Sequence, residues 1–377
     1  MSLRRLKAIF RKEVFHIIRD WRSLLMALAV PVVLLMLFGY ALTLDVDRIP
    51  TVIYDQDQSA QSKELMERFR GSRYFTVLPA AGSYRSIESG IERNEVLVGV
   101  VIPSTFSKDL AAGREAKVQL ILDGSDSNTA SIAAGYAEGL ILSYSLELRD
   151  QELLRRGAGK ITMPADARIR VFYNNELKSK NFIVPGLIAV ILMIIAALLT
   201  SLTIAREWES GSMEQLLSTP ARPHEILLGK LLAYFLLGMI DMALAIVIGV
   251  GVFEVPLRGN PLLLIAASML FLFGALAWGI LLSTITRSQL LAYQLSLVTS
   301  FLPAFLLSGF IFAIENMPLV IQQVTRIVPA RYFVKILQGV FLKGIGIDLL
   351  WTEFLFLFIY AALIFLVAAR KMRQKVA

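Results

Sequence analysis

Six runs of this 377-residue chain are apolar for long enough to cross a lipid bilayer: Leu24–Leu44, Phe182–Ile204, Leu227–Phe253, Leu262–Leu282, Tyr293–Phe312 and Leu349–Val367. A hydrocarbon core about 30 Å thick takes about 20 helical residues at 1.5 Å each. Inside lipid a backbone must satisfy its own N–H and C=O groups, so each run is predicted to be a helix. Only 18% of residues are charged, against about 25% in ordinary soluble domains. The predicted fold class is an α-helical polytopic membrane protein: six transmembrane helices, with an α/β extracytoplasmic domain inserted between the first and second. The first run exceeds the roughly 7–15 apolar residues of a signal peptide, and no small-x-small cleavage pattern follows it, so it reads as an uncleaved anchor.

Net charge is +8, a balance that nucleic-acid binders share. Here the basic residues gather at the chain ends, in MSLRRLKAIFRK and ARKMRQKVA, beside apolar runs. That placement serves anionic headgroups and the positive-inside rule, so membrane lipids are predicted partners and nucleic acid is not. Six spans put both termini on one side. Arg4, Arg5, Lys7, Arg11, Lys12, Arg19 and Arg22, together with Arg370, Lys371, Arg373 and Lys375, make that side cytoplasmic. Arg326, Arg331, Lys335 and Lys343, after the fifth span, pull the other way. There is no cysteine, and His16 and His224 lie far apart, so neither thiolate chemistry nor a histidine metal cluster is expected.

Residues 1–22 read as a cytoplasmic amphipathic helix in the membrane interface, with Leu6, Ile9, Phe10, Val14, Ile17, Ile18 and Trp21 at helical spacing. A helix packed on a soluble partner is the alternative. Residues 45–181 form the inserted domain. In it TVIYD, YFTVLP, VLVGVVIP and KVQLILD read as strands, and QSKELMERFRG, SYRSIESGIERNE and STFSKDLAAG as helices. Gly71 and Gly113 suit C-caps and Ser104 an N-cap. A long helical stretch, Asn128–Arg156, precedes a loop, GAGKITMPADA, and a strand, RIRVFYNN. In LDGSDSN, Asp123, Asp126 and Asn128 lack the spacing of a calcium loop and read as an Asx-capped turn.

Residues 205–226, between the second and third spans, are the most unusual inner segment. Arg206 ends the second span; GSMEQLLS follows as a short helix, with Ser212 as its cap and Gln215 completing a capping box. Pro220 stops that helix, and Pro223 starts the third span. Met213, Leu216 and Leu217 are predicted to form an exposed apolar knob ringed by Glu207, Glu209 and Glu214, as a partner site would. A loop lying against the protein's own inner face fits the same residues.

Residues 313–348 follow the fifth span, broken by Pro318 and Pro329. RYFVKILQGVFLKG is too short to span. It is expected to lie in the outer interface or re-enter partway, anchored by Arg331, Tyr332 and Lys335. Asp241, in the middle of the third span, either lines a pathway or is a neutral, hydrogen-bonded packing residue. Residues 368–377 are a basic tail.

The stretches AREWESGSMEQLLSTPARPHEILLGK, STITRSQLLAYQ and LSGFIFAIENMPLVIQQVTRIVPARYFVKILQGVFLKG, with FGYAL and LDGSDSNTA, resemble the permeases of the ABC-2 (type-2 exporter) class of ABC transporters. The likeness is to the bacterial multidrug-type subfamily with a large periplasmic loop after the first span, and it covers nearly the full length. It implies an inner (plasma) membrane protein whose residues 205–226 contact an ATPase, with the coupling motif at Arg206, Glu207, Glu209, Gly211, Met213, Glu214, Leu216 and Leu217. It also implies an outer helical hairpin, a second permease copy or paralogue, possible use of a periplasmic membrane-fusion adaptor, and drugs or other amphipathic compounds as substrates. No G-x-x-x-x-G-K-[ST] occurs. ATP and Mg are therefore expected on the partner P-loop ATPase, with no cofactor, metal or catalytic residue on this chain. Two rival readings are a mechanotransmitter that passes ATPase motion to the periplasmic domain, and a motorless scaffold or receptor.

Overall fold

The computed structural model describes residues 2–42, 48–155, 173–174 and 178–376. The chain divides into two compact units, Leu44–Arg170 and, on either side of it in sequence, Met1–Thr43 with Val171–Ala377.

The second unit opens with α1 (Leu3–Arg19) and α2 (Trp21–Ala41). The inserted unit then alternates strand and helix: β1 (Ile49–Asp55), α3 (Ala60–Gly71), β2 (Phe75–Val77), α4 (Tyr84–Glu92), β3 (Val98–Ile102), α5 (Phe106–Ala111), β4 (Gln119–Leu122) and α6 (Ser127–Arg155). Its sheet has the order β2-β1-β3-β4, with β1 parallel to β2 and β3, and β4 antiparallel to β3. Every residue of VGVVI in β3 is buried, as a strand covered on both faces requires. Phe69, Phe106, Ala133, Ala137 and Tyr144 pack on one face, and Ile87 on the other. Gly99 is needed there: a Cβ would come within 2.3 Å of Ile87.

Two local expectations are corrected in this unit. Thr105, not Ser104, caps α5, and its side chain makes no capping bond. Gly71 is the last helical residue of α3, whose C-cap is Ser72. Gly113 does follow α5 with φ +66°, the left-handed conformation of a helix end. Asp123 accepts the Ser125 N–H at 2.9 Å, a turn bond rather than metal ligation. The segments GAGKITMPADA and most of RIRVFYNN lie outside the described residues.

The helical unit resumes with α7 (Ser179–Glu209), α8 (Ser212–Leu217), α9 (Pro223–Gly251), α10 (Pro261–Thr286) and α11 (Gln289–Ser296). A π turn, Leu297–Phe301, leads into α12 (Leu302–Leu306); α13 (Leu319–Thr325), α14 (Pro329–Gln338) and α15 (Ile347–Val376) complete the chain. Among the described residues six segments are long and apolar enough to cross a membrane: Leu24–Ala41, Ser179–Glu209, Pro223–Gly251, Pro261–Thr286, Gln289–Leu306 and Ile347–Met372. α7 is buried on nearly every side and is the hub of the unit. It meets α10 closely because Gly279 lies against Ala197 and Thr200, where a Cβ would sit 2.3 Å from a backbone oxygen. Two hydroxyls stitch the pair together. Thr200 donates to the Leu276 carbonyl at 2.9 Å, and Ser283 Oγ accepts the N–H groups of Ile204 and Ala205 at 3.0 and 2.8 Å.

The fifth apolar segment differs from its expected bounds, Tyr293–Phe312. It begins at Gln289 and ends at Leu306. Pro303 lacks an N–H and crowds the preceding turn, and the π turn just before it absorbs the mismatch. Gly309, with φ +81°, then turns the chain out of the helix before Phe312 is reached.

A charged end and a packed hairpin

The chain from Ala205 to Lys230 is held by residues distant in sequence. α7 runs on past the apolar run to Glu209, which puts Arg206, Glu207 and Glu209 on its last turn. Glu207 and Glu13 face Lys12 and Lys230 in a closed ring of alternating charge. Lys230 Nζ lies 2.8 Å from Glu13 and 2.9 Å from Glu207; Lys12 Nζ lies 3.2 Å and 2.7 Å from the same carboxylates. Lys230 is 1% exposed and Glu13 3%. Burial alone would push the Glu13 carboxyl up, but Lys230 and Lys12 outweigh it and hold Glu13 below the ordinary glutamate value. Burial likewise opposes the Lys12 ammonium, and its bonds to Glu207 and Glu13 carry it above the usual lysine value.

The ring locks α1 onto α7 and α9. One turn along α1 from Glu13, Ile9 packs on Gly229 so closely that a Cβ there would lie 2.6 Å from the isoleucine. The Ser2 N–H donates to Glu225 at 2.6 Å, and Arg5 donates to the Pro220 carbonyl. The other face of α1 leaves Leu3, Phe15 and Ile18 exposed, as suits a helix half-sunk in an interface. Reading residues 1–22 for apolar periodicity alone missed Glu13. An acid at the i+4 position from Ile9 and i−4 from Ile17, inside the apolar stripe, was the available signal. Lys230, two turns into α9 and inside its apolar run, was its partner.

α8 is positioned differently from expectation. Its N-cap is Gly211, with φ +71° and no side-chain capping bond; Ser212 instead shares a 2.9 Å bond with Ser210, so the predicted capping box is absent. Met213 is 1% exposed and Leu216 packs against the same helical core, so these two form no exposed apolar knob. The reason is the left-handed turn at Gly211, which folds α8 back under α7. The side chain of Leu217 lies outside the described residues. Glu207 belongs to the charge ring, and Glu209 accepts the Gln289 N–H at 2.8 Å, placing a carboxylate on the N-terminus of α11. Arg287 stacks over Trp208 at 4.2 Å, a second tie to the same corner. What projects outward is polar: Glu214, Gln215, Ser218, Thr219 and Pro220.

The region 313–348 is built from apolar packing. Pro318 caps α13 and Pro329 is the first residue of α14. Phe333, Val334, Ile336, Leu337, Val340 and Phe341 are buried. Phe333 stacks on Phe271 at 4.1 Å, and Tyr332 on Phe356 at 4.7 Å. Phe271 is ten residues into α10, roughly 15 Å along that helix, so α14 re-enters the helical layer and is more than a surface anchor. Arg331 bonds Thr325, Tyr332 donates to the Arg326 carbonyl at 2.8 Å, and Lys335 pairs with Glu353. The loop before α10 joins in: Arg258 and Gly259 donate backbone N–H groups to Phe341 and Val340 at 3.1 and 2.8 Å.

Asp241 is 1% exposed, and neither carboxylate oxygen has a hydrogen-bond partner among the described residues. The expected hydrogen-bonded packing role is therefore not what the structure shows. Among the described residues no group of three or more His, Cys, Asp or Glu could hold a metal.

Six long apolar segments among the described residues, with a charged corner and a packed hairpin, define a polytopic membrane protein. The sequence matches the ABC-2 family transporter protein over residues 21–370, and the chain belongs to that family. It is 39% identical over 346 residues to the probable multidrug ABC transporter permease YbhS of Escherichia coli (strain K12), covering 91% of this chain and 90% of that one. It is 31% identical over 349 residues to the probable multidrug ABC transporter permease YbhR of the same strain, covering 93% of each. The inner membrane transport permease YhhJ, also of that strain, is 28% identical over 332 residues, with 87% and 86% covered. Permeases of this family normally work with an ABC ATPase.

Proposed function

We propose that this chain is the membrane-spanning subunit of an ATP-driven exporter in the bacterial inner membrane, moving drugs or other amphipathic compounds outward with ATP and Mg held by a separate ATPase. The observation that carries the reading is the corner at residues 205–226. It presents Glu214 and Gln215 outward on α8, with Thr219 just after it, while tying α1, α7, α9 and α11 together behind it. A push on α8 reaches four elements at once, which is what a coupling element must do. In this reading both termini are cytoplasmic, the inserted α/β unit is periplasmic and able to seat a membrane-fusion adaptor, and two permease chains pair around a route.

One observation favours a second reading, transmission without transport. α7 is a single 31-residue helix that starts just after the inserted unit in sequence and ends at the coupling corner. The test is ATP-dependent uptake of an amphipathic dye by inverted vesicles containing the chain and an ABC ATPase. Export predicts uptake that requires both subunits. Nucleotide hydrolysis stimulated by the chain without uptake selects transmission, and no effect of the chain on hydrolysis overturns both.

A further inference from the structure

A cavity of about 680 Å³ lies between α1, α2, α7 and α9 of the helical unit, within the roughly 300–1,000 Å³ of small-molecule sites. Its two ends differ in chemistry. At one end Lys12, Arg206 and Lys230 are matched by Glu13, Asp20 and Glu207, three formal charges of each sign. The other end is an apolar arm lined by Ala27, Val30, Ile195, Leu198, Leu202 and Leu237.

Two charged groups at the polar end have capacity left over. Glu207 is 8% exposed; its Oε1 takes both lysine ammonium groups, while its Oε2 has no hydrogen-bond partner among the described residues. Arg206 has neither an ion-pair nor a hydrogen-bond partner among the described residues. The wall therefore offers one acceptor and one cation on successive residues of α7. Eleven residues separate Arg206 from Ile195, so the cavity runs roughly 16 Å along α7 from its charged end to the tip of the arm, about half of a 30 Å hydrocarbon core. That is the depth of one leaflet.

We propose that this cavity binds one membrane phospholipid with a zwitterionic, amine-bearing headgroup, of which phosphatidylethanolamine is the simplest, drawn from the leaflet beside the coupling corner. The ammonium donates to Glu207 Oε2, the phosphate accepts from Arg206, and an acyl chain fills the arm. A balanced set of wall charges disfavours a net anionic headgroup, and a choline headgroup has no N–H to give Glu207. The inference concerns what occupies the cavity and stands whether or not the chain exports anything.

Purified full-length chain, stripped of lipid in detergent, is titrated with phosphatidylethanolamine, phosphatidylglycerol or phosphatidylcholine, and bound lipid is counted by native mass spectrometry. One phosphatidylethanolamine per chain is expected, held about tenfold more tightly than either alternative, since each lipid that fails to match loses a charge-assisted hydrogen bond. Leu198→Trp, which fills the arm, and Arg206→Gln, which leaves the phosphate unmatched, should each weaken retention by about the same factor. Equal retention of all three lipids by the unmodified chain overturns the proposal, as does retention that ignores both substitutions. A Leu202→Cys chain that forms a disulfide with a second copy assigns the cavity to a chain–chain contact and overturns it too.

Discussion

The charged corner and the packed hairpin both fix a short helix against the same bundle, by opposite means. The corner uses a few directional links: a ring of four charges, a carboxylate on a helix N-terminus, a guanidinium stacked on an indole. The hairpin uses an apolar interdigitation of Phe333, Val334, Leu337 and Phe341, with one ion pair at its rim. Dispersion and burial give way gradually as surfaces part. A buried ring of alternating charge has discrete arrangements, because a single displaced member leaves another charge buried and unmatched. The corner therefore depends on a few directional links and the hairpin on distributed contact.

Matched substitutions sharpen that contrast. Lys230→Met removes the fully buried cation from between two carboxylates and should destabilise the helical unit by about 3–5 kcal/mol. Phe333→Ala should cost a similar amount, about 3–5 kcal/mol, through the cavity it leaves. Thermal unfolding in detergent measures both. The two should separate in function: at a temperature where both chains are folded, Lys230→Met abolishes stimulation of a partner ATPase and Phe333→Ala preserves it. Equal functional loss would erase the distinction.

The ring also predicts a pH dependence that the hairpin lacks. Glu13 titrates below its unfolded value, so the unfolded chain binds the proton more readily. The stability it contributes is fully present above the ordinary glutamate range, about 4.3–4.5, and is lost as pH falls through the lower folded value. Melting temperature should drop over that window in the parent chain, and the drop should shrink in Glu13→Gln.

A smaller effect is expected at the hinge of α8. Gly211→Ala puts a side chain at φ +71°, a cost of about 1–2 kcal/mol, with nothing close enough to clash. It should weaken ATPase stimulation more than it lowers the melting temperature. An effect of similar size is expected of Lys335→Ala. The lysine side chain is 68% exposed, but that of Glu353 is only 5% exposed. Without its cation that carboxylate stays buried with Thr352 beside it, a cost of about 1–3 kcal/mol.

How legible each region was in the sequence follows from the same physics. Long apolar runs announce spans by composition, and alternating strand and helix patterns announced the four strands of the inserted unit. Span ends were less legible. Tyr293–Phe312 was read too far along because hydropathy does not register the turn at Gly309 or the π turn ahead of Pro303. The short helix between the second and third spans was legible from its prolines and charges, but its orientation was not. A short amphipathic helix looks the same whether its apolar face meets a partner or its own bundle, and Met213 meets its own bundle. Least legible was the ring, since Lys12 and Glu13 lie about two hundred residues from Glu207 and Lys230, and pairing at that separation is set by tertiary packing. The two clues were chemical: an acid inside the apolar stripe of α1, and a lysine in the third span that needs a counter-charge.

The central claim is that the polar face of α8 is where a nucleotide-driven partner engages this chain. Because the sequence has no cysteine, a lone Gln215→Cys chain can be produced with an ABC ATPase bearing one engineered cysteine on its permease-facing surface, and disulfide yield followed with and without ATP. The account predicts a crosslink whose yield changes with nucleotide, and labelling of Cys-substituted position 215 from the cytoplasmic side alone. Labelling from the opposite side, or a cytoplasmic thiol that crosslinks to no ATPase under either condition, would contradict it.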